Sequence, residues 1–206
     1  MNKINVMIAD DHAVVRFGLA ALIESKSAFA LVGQAEDGES AVRIAARKKP
    51  DVVVMDLMMP VKDGIEATRE IKEILPEVRI LILTTSTVSD DIARALENGA
   101  DGAITKSTAN AELLAAIRAV AEGKRYLSSE IQDLLVRDPP APKLTDRQVD
   151  ILRLAVKCFT TADIARLLGI REGSVKEHMT VICSKLGASN RTEAAAIALK
   201  KNLIRD

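Results

Sequence analysis

The stretch Val52-Val53-Val54-Met55-Asp56 decides how the first half of the chain can be interpreted. Its four consecutive apolar residues predict a strand buried on both faces, as in the middle of a parallel sheet. The strand ends in a carboxylate, and loop and turn residues follow it as far as Asp63-Gly64. Because ligands bind parallel sheets at the carboxyl ends of the strands, we expect Asp56 at a binding edge. Taken alone, the pattern also fits a buried strand followed by an aspartate with no special role.

Strands and helices are predicted to alternate five times between residues 1 and 121. Apolar runs indicate strands at 4–9, 29–35, 52–56, 79–83 and 103–105. Amphipathic patterns indicate helices at 13–25, 38–49, 63–75, 89–98 and 109–121. On the first helix the expected inner face consists of Val14, Val15, Leu19, Leu22 and Ile23. This alternation predicts a doubly wound, five-stranded parallel sheet with helices on both faces.

Composition places the chain among ordinary soluble proteins, with 48% hydrophobic and 28% charged residues. No apolar run reaches the ~20 residues that span a bilayer, and no signal-peptide pattern precedes the first strand, so we expect a cytoplasmic protein. The two cysteines, Cys158 and Cys183, are too few for a disulfide scaffold and are interpreted as ordinary thiols.

Charge is distributed unevenly although the formal net charge is zero. Residues 1–121 hold 14 Lys and Arg against 18 Asp and Glu, a balance of −4, and residues 122–142 hold 3 against 4, a balance of −1. Residues 143–206 hold 12 against 7, a balance of +5. An acidic first part and a basic last part indicate two domains, the second suited to a polyanion such as DNA.

Polar side chains follow four of the five predicted strands. They are Asp10 and Asp11 after the first strand, Asp56 after the third, Thr84 after the fourth and Lys106 after the fifth. In a parallel sheet these ends share one edge, where three clustered carboxylates repel one another and favour a hard cation such as Mg²⁺. Asp56 could then attack a phosphoryl donor, with Lys106 and Thr84 binding the phosphoryl oxygens. Each residue taken singly also has an ordinary structural interpretation, such as a helix N-cap or a surface charge.

The motifs along residues 1–121 resemble the receiver domain of bacterial two-component response regulators, which has a flavodoxin-like fold. They are Asp10-Asp11, Asp56-Leu57-Met58-Met59-Pro60, Asp63-Gly64, Leu83-Thr84, Gly99-Ala100-Asp101-Gly102 and Lys106. The resemblance implies that Asp56 is the phosphoacceptor of a sensor histidine kinase. It also implies a Mg²⁺ site formed directly by Asp11, Asp56 and the carbonyl of Met58, with Asp10 as an outer ligand.

Two positions depart from the receiver pattern. Receivers usually carry an aromatic residue on the fifth strand, whose rotation reports phosphorylation, and the corresponding residue here is Ala103. Ser107 follows Lys106 where proline or aspartate is common. The route by which a signal leaves the site is therefore left open.

Residues 143–206 predict a small all-α domain. The helices are expected at about 145–157, 161–168, 174–186 and 191–201, and Gly169 joins the second to the third as in a helix-turn-helix. On the third helix Val175, Met179, Ile182 and Leu186 should face the core. The small residues at 194–198 of the last helix suggest packing against a second copy of the chain. For the domain as a whole, a helical bundle that only mediates protein interactions is the alternative to a DNA-binding module.

Several segments of this second region resemble the LuxR-type helix-turn-helix. They are Leu144-Thr145-Asp146-Arg147, Leu168-Gly169-Ile170, Gly173-Ser174-Val175-Lys176-Glu177-His178, Lys185-Leu186-Gly187 and Asn190-Arg191-Thr192-Glu193-Ala194. By this resemblance Lys176, Glu177 and Thr180 face bases, and Lys185 and Arg191 lie near phosphates. Cys158 stands where the family usually has glycine. A receiver followed by this module is typical of the NarL/FixJ family of regulators.

The expected organisation is a receiver at 1–121, a linker at 122–142 and a DNA-binding domain at 143–206. Within the linker, residues 123–128 suggest a turn, 129–136 a short helix, and Asp138-Pro139-Pro140-Ala141-Pro142 a stiff extended connection. The chain is interpreted as a non-enzymatic transcription regulator that dimerises when phosphorylated and binds promoter DNA.

Two other classes of function compete with this interpretation. A phosphatase with an aspartyl nucleophile would need Asp-x-Asp after the first strand, and Asp10-Asp11-His12 lacks that spacing. A regulator switched by a ligand or partner instead of phosphate is the main alternative, because Ala103 replaces the reporting aromatic residue.

Overall fold

The structure is a computed structural model that describes residues 3–85 and 88–204. It divides into two compact units, Met1–Asp138 and Pro139–Asp206. Among the described residues no helix has the length and apolar character needed to cross a bilayer.

The first unit contains a parallel sheet of six strands in the order β2-β1-β3-β4-β5-β6. The strands are β1 Ile4–Ala9, β2 Phe29–Ala35, β3 Val52–Met55, β4 Arg79–Thr84, β5 Gly102–Thr105 and β6 Tyr126–Leu127. The helices that connect or follow them are α1 Ala13–Glu24, α2 Gly38–Lys48, α3 Gly64–Ile74, α4 Ser89–Glu97, α5 Asn110–Ala121 and α6 Ser129–Arg137. This architecture confirms the predicted α/β class.

The central strand β3 has hardly any solvent exposure because helices cover both faces of the sheet. Alternate side chains along a strand point to opposite faces. Val53 and Met55 therefore join one apolar core with residues of α2, α3 and α4, while Val52 and Val54 join the other with residues of α1 and α5. The uninterrupted apolar run at 52–55 is the sequence signature of this double burial.

A sixth strand extends the predicted five. Tyr126–Leu127 pairs in parallel with β5, and Leu127 lies opposite Ala103. The amide of Ser128 donates a hydrogen bond to the carbonyl of Ala103 at 3.1 Å, which prolongs the pairing by one residue. A two-residue strand has no periodicity to reveal it, so the sequence suggested only a turn. Residues 126–137 thus form regular structure at the edge of the sheet.

One residue of the predicted inner face of α1 lies on the opposite side of the helix. Val14 is 86% exposed, whereas Ile23 is fully buried. The two residues are nine positions apart, which at 3.6 residues per turn corresponds to two and a half turns. A single helix face cannot hold both, and Ile23 packs on the sheet.

All regular secondary structure in residues 139–204 of the second unit is helical. Its helices are α7 Asp146–Val156, α8 Thr161–Leu168, α9 Glu172–Leu186 and α10 Arg191–Lys200. Capping boxes begin α7 at Thr145 and α8 at Thr160, and Gly169 ends α8 with a φ of 64°. The expected core residues of α9 do pack in the interior with residues of α7, α8 and α10.

Two of the small residues of α10 pack inside their own unit, whereas Ala195, Ala196 and Ile197 between them are half-buried or exposed. Ala194 and Ala198 are fully buried in the core of their own unit, so they are not available to a second copy. Their size lets α10 approach α7 and α9 closely. Leu199, which is 56% exposed, is the large apolar residue that this helix presents outward.

Candidate functional site

Carboxylates from two neighbouring strands meet at one edge of the sheet. Asp10 follows β1 and Asp56 follows β3, and both are almost fully buried, at 1% and 3% exposure. Ligand atoms of Asp10, Asp11, His12 and Asp56 all lie within 4.8 Å of one another. The parallel pairing of Ala9 with Met55 places these strand ends side by side. The structure thus brings together the three aspartates that the sequence predicted at one edge.

Lys106 connects the fifth strand to the same cluster. Its Nζ lies 2.6 Å from Oδ2 of Asp10 and 2.7 Å from Oδ2 of Asp56. Its backbone amide donates to the carbonyl of Thr84 at 2.9 Å, which holds the loop after β5 against the end of β4. One ammonium group therefore bridges two buried carboxylates.

Burial and charge shift the pKa values of this pair. Burial, assisted by the neighbouring Asp10, raises the pKa of Asp56 above its ordinary value, although Lys106 and the Met58 amide oppose the shift. Burial alone would lower the pKa of Lys106, but its hydrogen bonds to Asp10 and Asp56 outweigh burial and raise the pKa. Lys106 therefore stays protonated across the physiological range.

The cluster is chemically suited to a hard divalent cation. Three carboxyl groups face one ammonium group, so acidic side chains outnumber basic ones around the cluster. Carboxylate oxygens are the ligands that Mg²⁺ prefers, and the half-exposed Asp11 leaves one side open to water. The residues present therefore fit the expected cation.

Thr84 and Met58 lie beside the carboxylates. Thr84 is fully buried at the end of β4. The amide of Met58 points to Oδ1 of Asp56 at 3.4 Å, and its side chain is 54% exposed. The loop that carries Met58 thus curls over the Asp56 carboxylate.

His12 belongs to this cluster although the sequence suggested no role for it. Its Nδ1 lies 2.6 Å from Oδ1 of Asp11, and its amide donates to Oδ1 of Asp10 at 2.9 Å. The position directly after the aspartate pair was the available signal. His12 orients both carboxylates.

Gly64 allows the loop after Asp56 to close tightly. A Cβ at this position would lie 1.9 Å from the carbonyl oxygen of Asp56, a distance that no side chain tolerates. The amide of Gly64 donates to the carbonyl of Leu57, and Asp63 caps the start of α3. The Asp63-Gly64 pair therefore positions the loop that covers Asp56.

The outer face of α9 presents the side chains that the sequence assigned to DNA bases. Lys176, Glu177 and Thr180 are exposed, whereas Val175 and Ile182 are buried. The Thr180 hydroxyl donates to the carbonyl of Lys176 one turn earlier at 3.0 Å. Its methyl group and the two charged side chains are available to a partner.

Lys185 and Arg191 already hold intramolecular hydrogen bonds. The Lys185 ammonium donates to the carbonyl of Lys143 at 2.8 Å and to Oε1 of Gln148 at 3.0 Å. The Arg191 guanidinium donates to the carbonyl of Phe159. Both side chains therefore fasten segments of the second unit together, a role that the sequence did not indicate.

Comparison with known proteins follows the same division of the chain. Residues 6–118 match the family model described as response regulator receiver domain, and residues 142–198 match the model for bacterial regulatory proteins of the luxR family. The chain belongs to the response regulators. It joins a receiver to a LuxR-type DNA-binding module, and it is a DNA-binding transcription regulator.

Relatives of this response regulator extend over its whole length. It is 37% identical to the transcriptional regulatory protein LiaR of Bacillus subtilis, over 98% of this chain and 99% of LiaR. It is 34% identical to the response regulator protein VraR of Staphylococcus epidermidis, over 98% and 99% of the two chains. These relatives share both of its units.

Solved structures of response regulators have the same fold. ChrA, from a heme-sensing two-component system, is 36% identical, with a TM-score of 0.60 over 99% of this chain and all of ChrA. RcsB in complex with DNA is 27% identical, with a TM-score of 0.70 over 97% of this chain and 99% of RcsB. Control by phosphorylation is typical of this family.

Proposed function

We propose that Asp56 of this response regulator accepts a phosphoryl group from a sensor histidine kinase and that the modification controls promoter binding. The observation that carries the proposal is the buried Asp56 carboxylate, held 2.7 Å from the Lys106 ammonium beside two further aspartates. Such an arrangement provides a nucleophile, a counter-charge and a cation site at one edge of the sheet.

In the proposed reaction an oxygen of Asp56 attacks phosphorus while the bond from phosphorus to the donor nitrogen breaks. The histidine imidazole leaves with the electron pair and takes up a proton. Lys106 and the Thr84 hydroxyl bind the phosphoryl oxygens, so that charge on them is balanced by groups that the fold holds in place. Mg²⁺, held by Asp11, Asp56, the Met58 carbonyl and, less directly, Asp10, would neutralise further charge on those oxygens.

The proposed output is binding of a homodimer to promoter DNA in the cytoplasm. Lys176, Glu177 and Thr180 would read bases in the major groove, because they are the exposed polar residues along α9. Lys185 and Arg191 would reach phosphates only by sharing or giving up their present carbonyl partners. We assign the protein a regulatory and not an enzymatic role.

The proposal is tested by measuring intact mass after incubation with Mg²⁺ and acetyl phosphate. We expect the gain of one phosphoryl group for the wild-type chain and none for Asp56→Asn. Asp11→Asn should react far more slowly because a cation ligand is removed. Dimerisation and binding to a promoter fragment are measured on the same samples. Absence of the mass gain in the wild-type chain, with both acetyl phosphate and a phosphorylated kinase, would refute the assignment of Asp56.

A regulator switched by a ligand or partner is the second candidate, and the observation that favours it is Ala103. This residue is fully buried on β5 and has no ring to rotate toward Thr84. Under this alternative, Asp56→Ala would keep full regulation of its promoter in cells. Loss of regulation in that variant, at normal protein levels, would favour control by phosphorylation over control by a ligand or partner.

A further inference from the structure

The segment formed by β6 and α6, residues 126–137, lies directly beside the Asp56 pocket. Helix α6 packs against β5 and α4, and its Ile131 is 1% exposed in the same apolar core as Ala103. Leu127 of β6 lies opposite Ala103 in the sheet. Residues of this later segment therefore cover the surface of β5 around Ala103, where a larger aromatic side chain is usual in receivers.

A cavity of about 340 Å³ separates α6 from the carboxyl edge of the sheet. Thr84 and Lys106 line it on one side, and Ile131, Leu134 and Arg137 line it on the other. The two residues that would bind phosphoryl oxygens therefore also line the cavity across which α6 faces them. Packed interiors respond to such local shifts by switching between discrete arrangements, and the cavity provides room for a second one.

The end of α6 is fastened to the beginning of α4. Oγ of Ser89, the first residue of α4, lies 3.1 Å from Oδ2 of Asp138, which caps α6. The same hydroxyl lies 3.4 Å from Oδ2 of Asp90 and has one proton to donate. Pro139 and Pro140 follow Asp138 and keep the connection to the second unit stiff. Because this connection is stiff, a displacement of Asp138 also displaces the residues that follow it.

We propose that α6 is the output element of the receiver. In the unphosphorylated chain it packs on β5 and α4, faces Thr84 and Lys106 across the cavity, and is tied to α4 through Asp138 and Ser89. When Thr84 and Lys106 turn toward a phosphoryl group on Asp56, the cavity beside α6 changes shape and α6 detaches. This detachment alters the start of the stiff connection to the second unit. This inference rests on the proposed phosphorylation of Asp56. Helix α6 would take the signalling role that an aromatic residue on the fifth strand has in other receivers.

Amide hydrogen exchange of the full chain tests the proposal directly. We expect the amides of residues 129–137 to exchange about 5- to 150-fold faster after treatment with Mg²⁺ and acetyl phosphate, the range of ordinary allosteric coupling. Asp56→Asn should show no change. Phosphorylation confirmed by mass together with unchanged exchange in α6 would overturn the relay and leave the proposed function standing. Failure of phosphorylation itself, seen in the mass, would overturn both.

Two variants test the contacts of α6 without any phosphate. Ser89→Ala removes the tie to Asp138, and Leu134→Ala removes half-buried packing over the cavity. We expect both to speed exchange in α6 and to raise DNA affinity before phosphorylation, while the mass gain at Asp56 remains normal. Val136→Ala is the matched control, because Val136 is on the same helix but 81% exposed. Faster exchange in α6 with no effect on DNA binding would show that α6 does not carry the output.

Discussion

Among the described residues, those other than glycine with a positive φ are Lys49, Val61, Cys158 and Asn202. Val61 in the loop after Asp56 and Cys158 after α7 have φ values of 65° and 61°. The left-handed region crowds a Cβ against the following carbonyl, most severely for a β-branched side chain such as valine. Val61 is also 81% exposed, so that little packing compensates for the strain.

We expect Val61→Gly and Cys158→Gly each to stabilise its unit by about 1 kcal/mol, because glycine adopts this conformation without a steric cost. Denaturant unfolding monitored separately for each unit measures the free energy of unfolding. Val14→Gly is the control, since Val14 is equally exposed but helical, and it should lose stability by roughly 0.5–1 kcal/mol. Equal effects in all three variants would mean that backbone conformation is not the cause.

The raised pKa of Asp56 has a consequence for stability in the absence of metal. A carboxyl whose pKa is higher in the folded chain than its ordinary value of 3.8 binds its proton more tightly when folded. Its contribution to stability is therefore greatest below that value and declines as the pH rises through the raised pKa. Asparagine cannot titrate, so Asp56→Asn lacks this decline.

In EDTA we expect the Tm of Asp56→Asn to exceed that of the wild-type chain increasingly as the pH rises from below 3.8 to neutrality. Adding Mg²⁺ to about 100 times its Kd should stabilise the wild-type chain by about 2.7 kcal/mol, and the variant by less. Calorimetry with and without Mg²⁺ measures both effects. Asp37 caps α2 by accepting a hydrogen bond from the amide of Ser40, and Asp37→Asn keeps a capping oxygen. This variant should behave like the wild-type chain, and an equal rise in its Tm would show that the effect is not specific to Asp56.

At the scale of elements, α9 combines a buried stripe with an exposed polar stripe. Lys176 and Glu177 point outward from the same turn with opposite charges. A carboxylate is repelled by DNA phosphates but can accept a hydrogen bond from the amino group of cytosine. Glu177 therefore suits a reader of one base and is unsuited to general affinity.

Glu177→Ala should cost about 1–3 kcal/mol in discrimination at a single base position while binding to non-specific DNA becomes tighter. Fluorescence anisotropy with a promoter fragment and with its single-base variants measures this difference. Glu172→Ala provides the comparison, because it removes the same charge from the first turn of α9. If both variants lost specificity equally, Glu177 would have no reading role.

Helix α8 begins with a reciprocal cap that positions the first half of the helix-turn-helix. The Thr160 hydroxyl accepts from the amide of Asp163, and the Asp163 carboxylate accepts from Thr160 in turn. These bonds lower the pKa of Asp163, so their contribution is present above its ordinary pKa and is lost as the pH falls through the lowered value.

We expect Thr160→Ala to destabilise the second unit by about 1 kcal/mol at neutral pH, the usual cost of losing an N-cap. Unfolding of the second unit in denaturant measures the loss. Thr160→Ser keeps the hydroxyl and should restore most of the stability. A serine variant as unstable as the alanine variant would point to the lost methyl group instead of the cap.

The whole molecule combines an acidic receiver with a basic DNA-binding unit. The balance of +5 in residues 143–206 attracts a polyanion, and the balance of −4 in residues 1–121 does not. Binding by a two-fold symmetric dimer would require two half-sites related by the same symmetry. Phosphorylation would then raise the affinity for promoter DNA by joining two weakly binding DNA-binding units in one dimer.

For the phosphorylated dimer we expect tight binding only when the half-site centres lie about 10–10.5 base pairs apart or at a multiple of that spacing. Inserting about half a helical turn of DNA between the half-sites should abolish cooperative binding. Extending the insertion to a full helical turn should restore it. Gel-shift titrations with the spacing series measure this dependence. Equal affinity at every spacing would indicate binding by independent monomers.

Local sequence was sufficient for the first five strands of the sheet and for the helices of the second unit. The apolar run at 52–55 required a buried central strand, and the aspartates and lysine after successive strands had to share an edge because parallel strands end together. Gly169 and the caps at Thr145 and Thr160 set the limits of α7 and α8 through interactions within a few residues. The family and its DNA-binding role followed from motifs of this kind.

Contacts between residues far apart in sequence depended on the tertiary structure. The pairing of Leu127 with Ala103, the tie between Ser89 and Asp138, and the bond from Lys185 to Lys143 join segments whose local patterns carry no sign of one another. Ala194 and Ala198 looked available to a second copy, yet packing buried them within their own unit. Periodicity shows which face of a helix is apolar, but only the assembled fold determines what covers that face.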